Sequence, residues 1–153
     1  MSPCSGAGRK SRCARAVRCA IVLLDTTFLI DLADELQQRR LGPCQSLLRA
    51  NRHITRCVSV VSVGEYAVGA TEAETRRFFR GYRQLSLGGR LAIFAGRLQA
   101  ALPVELGEND LWIAATGLYY ELPLVTRDDH RRAIRDLADL IDRKIEVCRS
   151  ILR

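Results

Sequence analysis

The chain is poor in the residues that mark several function classes. It has two histidines, His53 and His130, and its six cysteines form no C-x-x-C pair, so a zinc site has little support. Long apolar runs are missing as well. The longest near the N-terminus, residues 20–24, is cut by Asp25, far short of the ~20 apolar residues that a bilayer-spanning helix needs. The same run is too short for a good secretory signal. There is no internal repeat and no internal linker. What remains is an ordinary globular composition, 48% hydrophobic and 27% charged over 153 residues, which predicts one domain. The expectation is a cytoplasmic protein, not bound to a membrane, whose body cysteines are reduced, partly buried thiols.

The formal charge of +7 is unevenly placed. Residues 1–20 carry Arg9, Lys10, Arg12, Arg15 and Arg18 and no acid; taking those five charges from +7 leaves a body at +2. The tail lacks hydrophobic periodicity and reads as a disordered basic segment ahead of a domain over residues 21–153. Within the body, Arg76, Arg77, Arg80, Arg83, Arg90 and Arg97 form a dense series. Guanidinium suits phosphate, but a solvated helix face is the plainer reading.

Residues 21–24 are an apolar run of strand formers, followed by Asp25-Thr26-Thr27 and a helical spacing of Phe28, Leu29, Leu32 and Leu36. Thr26 or Thr27 is a candidate cap for that helix. A second helix follows Gly42-Pro43. Residues 57–63 are β-branched and predict a buried strand, with Ser62-x-x-Glu65 reading as a capping box for the next helix. Helices are expected over 71–84, 90–102 and 111–120, then a strand at 123–126, a short helix and a last strand at 145–147. Strands alternating with helices predict an α/β fold, a mostly parallel sheet covered on both faces. Ligands in such folds bind beyond the carboxyl ends of the strands.

Four acids fall at element junctions: Asp25, Glu65, Asp110 and Asp128. Singly, each reads as a helix cap. Together, on a parallel sheet, they gather in one cleft. Two carboxylates ~5 Å apart repel by roughly 3 kcal/mol at an effective dielectric near 20. Several such pairs demand protons or cations. All-oxygen ligation suits Mg²⁺ or Mn²⁺, and metals so held activate water and stabilise a leaving phosphodiester oxygen. A strand ending in Asp25 also suits a phosphoaspartyl receiver or phosphatase-like protein. Those need a lysine near the site, and Lys10 and Lys144 follow no plausible strand end.

The segments around these acids carry a family resemblance. IVLLDTTFLIDL at 21–32, SVVSVGEYAVGA at 59–70, NDLWIAATG at 109–117 and LPLVTRD at 122–128 resemble, in order and spacing, the four motifs of VapC-type PIN domains. The resemblance implies a three-layer α/β/α fold and a Mg²⁺- or Mn²⁺-dependent endoribonuclease acting as the toxin of a toxin–antitoxin pair. It implies Asp25, Glu65, Asp110 and Asp128 as catalytic and metal-binding acids, with Thr26, Asn109 and Thr126 as polar supports. RNA substrate, a small antitoxin partner and a homodimer, or a heterotetramer or larger with antitoxin, come with it. A non-catalytic RNA- or partner-binding PIN-like module is the alternative; such modules typically lose one or more of these acids, and this chain keeps four. Trp112, Tyr119 and Tyr120 read as packing or interface residues before base stackers. His130 reads as a solvated helix-start residue.

Overall fold

A computed structural model describes residues 21–102 and 105–126. The basic tail, Pro103, Asp128, His130 and the helix and strand expected after Thr126 lie outside the described residues.

The element order is β1 (Ile21–Leu24), α1 (Thr26–Gln37), α2 (Pro43–Ala50), β2 (Thr55–Ser59), α3 (Val60–Ala67), α4 (Glu72–Phe78), β3 (Arg83–Leu85), α5 (Gly89–Ala101), α6 (Glu108–Tyr119) and β4 (Leu124–Val125). The strands form one parallel sheet in the order β3-β2-β1-β4. The period-two alternation of a strand sorts its side chains to two faces. Val22, Leu24, Val58 and Val125 face one way and pack with Phe28, Leu29 and Leu32 of α1 and Cys44 and Leu48 of α2. Leu23, Cys57, Leu85 and Leu124 face the other way, onto Ile113 and Ala114 of α6. The far side of α6 buries Ala115 and Leu118 against Leu91, Ala95 and Leu98 of α5. This is a three-layer α/β/α fold.

The chain leaves β1 toward β2 and β3, then returns through α5 and α6 to place β4 on the opposite flank of β1. The direction of winding reverses beside β1, and ligands favour such a switch point at the carboxyl edge of the sheet.

Several local expectations give way. The strand expected over 57–63 runs instead from Thr55 to Ser59, and Val60, Val61 and Val63 are helical. β1 ends opposite Val58 and β3 ends opposite Ser59, so a longer strand would have no partner. Ser59 caps α3, its hydroxyl accepting from Val61 N at 3.2 Å. The capping box is therefore not at Ser62 and Glu65; it is at Thr71 and Glu74, ahead of α4. The helix expected over 71–84 stops at Phe78, the chain turns through Gly81 at φ +87°, and residues 83–85 add an edge strand to β2. The cap of α1 is Asp25 itself, not Thr26 or Thr27. Leu36 is half exposed, while its neighbour Glu35 is buried. The Glu35 carboxylate accepts from Cys44 N at 3.0 Å and Gln45 N at 2.9 Å, serving the N-terminus of α2 that Gly42 cannot cap.

Candidate active site

Leu24 and Val125 are cross-strand partners, so the residues that follow them, Asp25 and Thr126, leave the sheet side by side. The Asp25 N–H donates to Val125 O at 2.9 Å, continuing the ladder past β1. Its carboxylate is held from three directions. Oδ1 accepts from Thr26 N at 2.8 Å, the cap of α1. Oδ2 accepts from Thr27 Oγ1 at 3.0 Å and from Thr126 Oγ1 at 2.6 Å. Two donors occupy both lone pairs of Oδ2, so Oδ1 retains one for another partner.

Glu65 reaches the same place from α3. With the helix starting at Val60, Glu65 stands in its second turn and is released from capping duty. One carboxylate oxygen accepts from the Thr26 hydroxyl, and Oε1 accepts from Asn109 Nδ2 at 2.7 Å. Each oxygen keeps one lone pair. Thr26 thus touches Asp25 through its N–H and Glu65 through its hydroxyl, tying the end of β1 to α3, while Asn109 ties α3 to α6.

Asn109 and Asp110 sit inside the first turn of α6, which starts at Glu108 behind Gly107; neither is the cap. The Asp110 carboxylate folds back over the helix start, where a Cβ on Gly107 would lie 3.4 Å from Oδ2. Glu108 and Asp110 place negative charge where the helix dipole favours it. Of the seven expected site residues, hydrogen bonds join Asp25, Glu65, Thr26, Asn109 and Thr126. Asp110 is the chain neighbour of Asn109, and Asp128 lies outside the described residues.

The donor set suits a hard cation: carboxylate oxygens with lone pairs to spare, steadied by hydroxyls and an amide. Among the described residues no three His, Cys, Asp or Glu side chains form a ready metal cluster. Mg²⁺ does not require one, since it usually keeps several waters and takes one or two carboxylates.

Thr27 and Ser62 are site residues that the motifs did not assign. Ser62 read as a cap. The signal that finds it is the i, i+3 spacing to Glu65, which puts both on one helix face. Trp112 and Tyr119 pack against the α5–α6 core, and Tyr119 lies edge-on to Phe94.

The family model described as PIN domain matches residues 22–139. No curated protein matches the chain. Among solved structures, it is similar to the VapBC2 complex of Rickettsia felis bound to a promoter DNA fragment, with TM-score 0.62 and 18% identity over 74% of this chain and 92% of that one. It is similar to a toxin–antitoxin complex from Klebsiella pneumoniae, with TM-score 0.57 and 25% identity over 72% and 90%. It is also similar to FitAcB from Neisseria gonorrhoeae, with TM-score 0.58 and 18% identity over 77% and 93%.

Proposed function

Because the chain belongs to the PIN-domain family, matched over most of its length, we propose that it is a Mg²⁺-dependent endoribonuclease, the toxin of a toxin–antitoxin pair. The observation that carries this reading is the junction at Thr26, where carboxylates from the end of β1 and from α3 are tied together at the sheet's switch point. Asp25 and Glu65 would hold the cation, with Asp110 and Asp128 as the further acids. Bound there, Mg²⁺ supplies an activated water and charge stabilisation for the leaving phosphodiester oxygen. The protein's own share is orientation. Thr27 and Thr126 fix Asp25, and Thr26 and Asn109 fix Glu65, so neither carboxylate must reorganise when substrate arrives.

The likeness to toxin–antitoxin complexes supports a protein partner that silences the site. A groove of about 410 Å³ beside the C-terminal end of α1 would seat such a partner. Leu32, Leu36 and Leu48 line it together with Arg49, Arg52 and Arg56. A segment mixing apolar and acidic side chains complements that lining.

The test is cleavage of structured RNA by the purified chain. Cleavage in Mg²⁺ should vanish in EDTA and in Asp25→Asn. Cleavage that survives EDTA, or none under any divalent cation, overturns the proposal.

A further inference from the structure

The Thr26 hydroxyl lies within hydrogen-bonding reach of two oxygens, Ser62 Oγ at 3.0 Å and a carboxylate oxygen of Glu65. A hydroxyl gives one proton and receives at two lone pairs, whereas a carboxylate only receives. Thr26 Oγ1 has donor geometry toward both oxygens but carries one proton, so with Glu65 ionised one order satisfies all three groups: Thr26 donates to Glu65, and Ser62 donates to Thr26. Ser62 is fully buried on α3. Among the described residues its hydroxyl bonds to Thr26 and to nothing else. A buried hydroxyl without a partner is costly, so the Ser62 proton has one place to go.

We infer that Ser62 is a positioning residue for the Glu65 carboxylate. Its proton fills an acceptor site on the Thr26 oxygen and commits the Thr26 proton to Glu65. Asn109 holds the other Glu65 oxygen. The carboxylate is thereby clamped at both oxygens, each keeping one lone pair with which it would hold a cation. Ser62 touches neither substrate nor cation; it acts through Thr26. This inference rests on the nuclease reading only for what the carboxylate serves.

The test is Mn²⁺ affinity, measured by titration on wild type, Ser62→Ala, Ser62→Thr, Thr26→Val and the Ser62→Ala/Thr26→Val double variant. Melting in EDTA and RNA cleavage are followed on the same proteins. Groups that orient metal ligands typically cost about 10–100-fold in metal affinity or activity when removed. Ser62→Ala should weaken Mn²⁺ on that scale, and Ser62→Thr, which keeps the hydroxyl, should restore most of it. In the Thr26→Val background Ser62→Ala should add nothing, because the link is already cut. If Ser62→Ala does not fold, Ser62→Cys, of similar size and with a weak donor, takes its place with the same expectation. Wild-type Mn²⁺ affinity in Ser62→Ala, losses that multiply in the double variant, or a wild type that binds no Mn²⁺ would each overturn the inference. A chain that shows this Mn²⁺ pattern but cuts no RNA keeps Ser62 in its role and removes the nuclease reading instead.

Discussion

Thr126 donates a 2.6 Å hydrogen bond to Oδ2 of Asp25, joining the residue after β4 to the residue after β1. Thr126 is 2% exposed, so water cannot replace it as a donor. Thr126→Val keeps the shape and deletes the proton. Hydrogen bonds to charged groups contribute about 1.5–3 kcal/mol, and the variant should lose stability on that scale. Its cleavage rate should fall about 10–100-fold. Urea unfolding and RNA cleavage check both numbers; an unchanged rate would show that Asp25 needs no orienting.

Asp25 and Asp110 should respond to neutralisation with different signs. Asp25 accepts three hydrogen bonds. Asn still caps well, but its NH₂ faces the Thr27 and Thr126 hydroxyls, so Asp25→Asn should melt below wild type in EDTA. Asp110 is exposed, and Asp110→Asn should melt at or above wild type there. Saturating Mn²⁺ stabilises wild type by roughly 2.7 kcal/mol at a hundredfold excess over Kd; both variants should gain much less. Equal Mn²⁺ gains in all three proteins would remove these acids from the cation site.

Two glycine-to-alanine substitutions should also have opposite signs. At Gly42 a new Cβ would lie 2.2 Å from the Glu35 carboxyl group. Gly42→Ala must displace the buried carboxylate from the two N–H groups of α2, at a cost of about 1–3 kcal/mol. At Gly96, inside α5, nothing lies within 4 Å of the new Cβ. Gly96→Ala should stabilise by about 0.5–1 kcal/mol, the helix preference of Ala over Gly. Chemical denaturation of the two variants reads the signs directly.

Burial pushes the Cys57 thiol above its ordinary value, and the nearby Arg83 charge offsets part of that. A pKa raised on folding gives stability that is present below the unfolded-state value and lost as pH rises through the folded one. The melting temperature should therefore decline on the alkaline side of the thiol range, and Cys57→Val should flatten the first part of that decline. An identical alkaline profile in Cys57→Val would mean that the thiol carries none of it. Tyr66 and Tyr82, also raised by burial, act higher in pH.

If the α1–α2 groove seats the silencing partner, reversing charge there should weaken the complex without touching catalysis. Arg52→Glu should lower the affinity for a co-expressed antitoxin at least tenfold, a loss of about 1.4 kcal/mol, and leave RNA cleavage by the free chain unchanged. Calorimetric titration decides, and an unaltered Kd would place the partner elsewhere.

The layers of the fold, and the meeting of Asp25 and Glu65 at the carboxyl edge of the sheet, were legible because they rest on long patterns. Residues 21–24 followed by helical spacing mark a βα junction, and the apolar run before Thr126 marks the strand beside it. What was not legible depended on partners distant in sequence. Val60, Val61 and Val63 carry strand propensity, yet β1 stops at Leu24 and leaves them nothing to pair with. Arg83 to Leu85 is too short to show a period and is a strand because β2 has a free edge. Nothing local marks Glu35 for burial; it is buried because the start of α2 brings the Cys44 and Gln45 N–H groups against it.

The carboxylate clamp on Asp25 also has a schedule. Thr126 is among the last described residues, while Asp25 is near their start. A ribosome makes Asp25 long before Thr126, adding about 5–20 residues per second. Until β4 docks on β1, Asp25 lacks its Thr126 donor. On the proposed nuclease reading, a half-made chain emerging from its ribosome has not yet set its site, whatever RNA lies within reach.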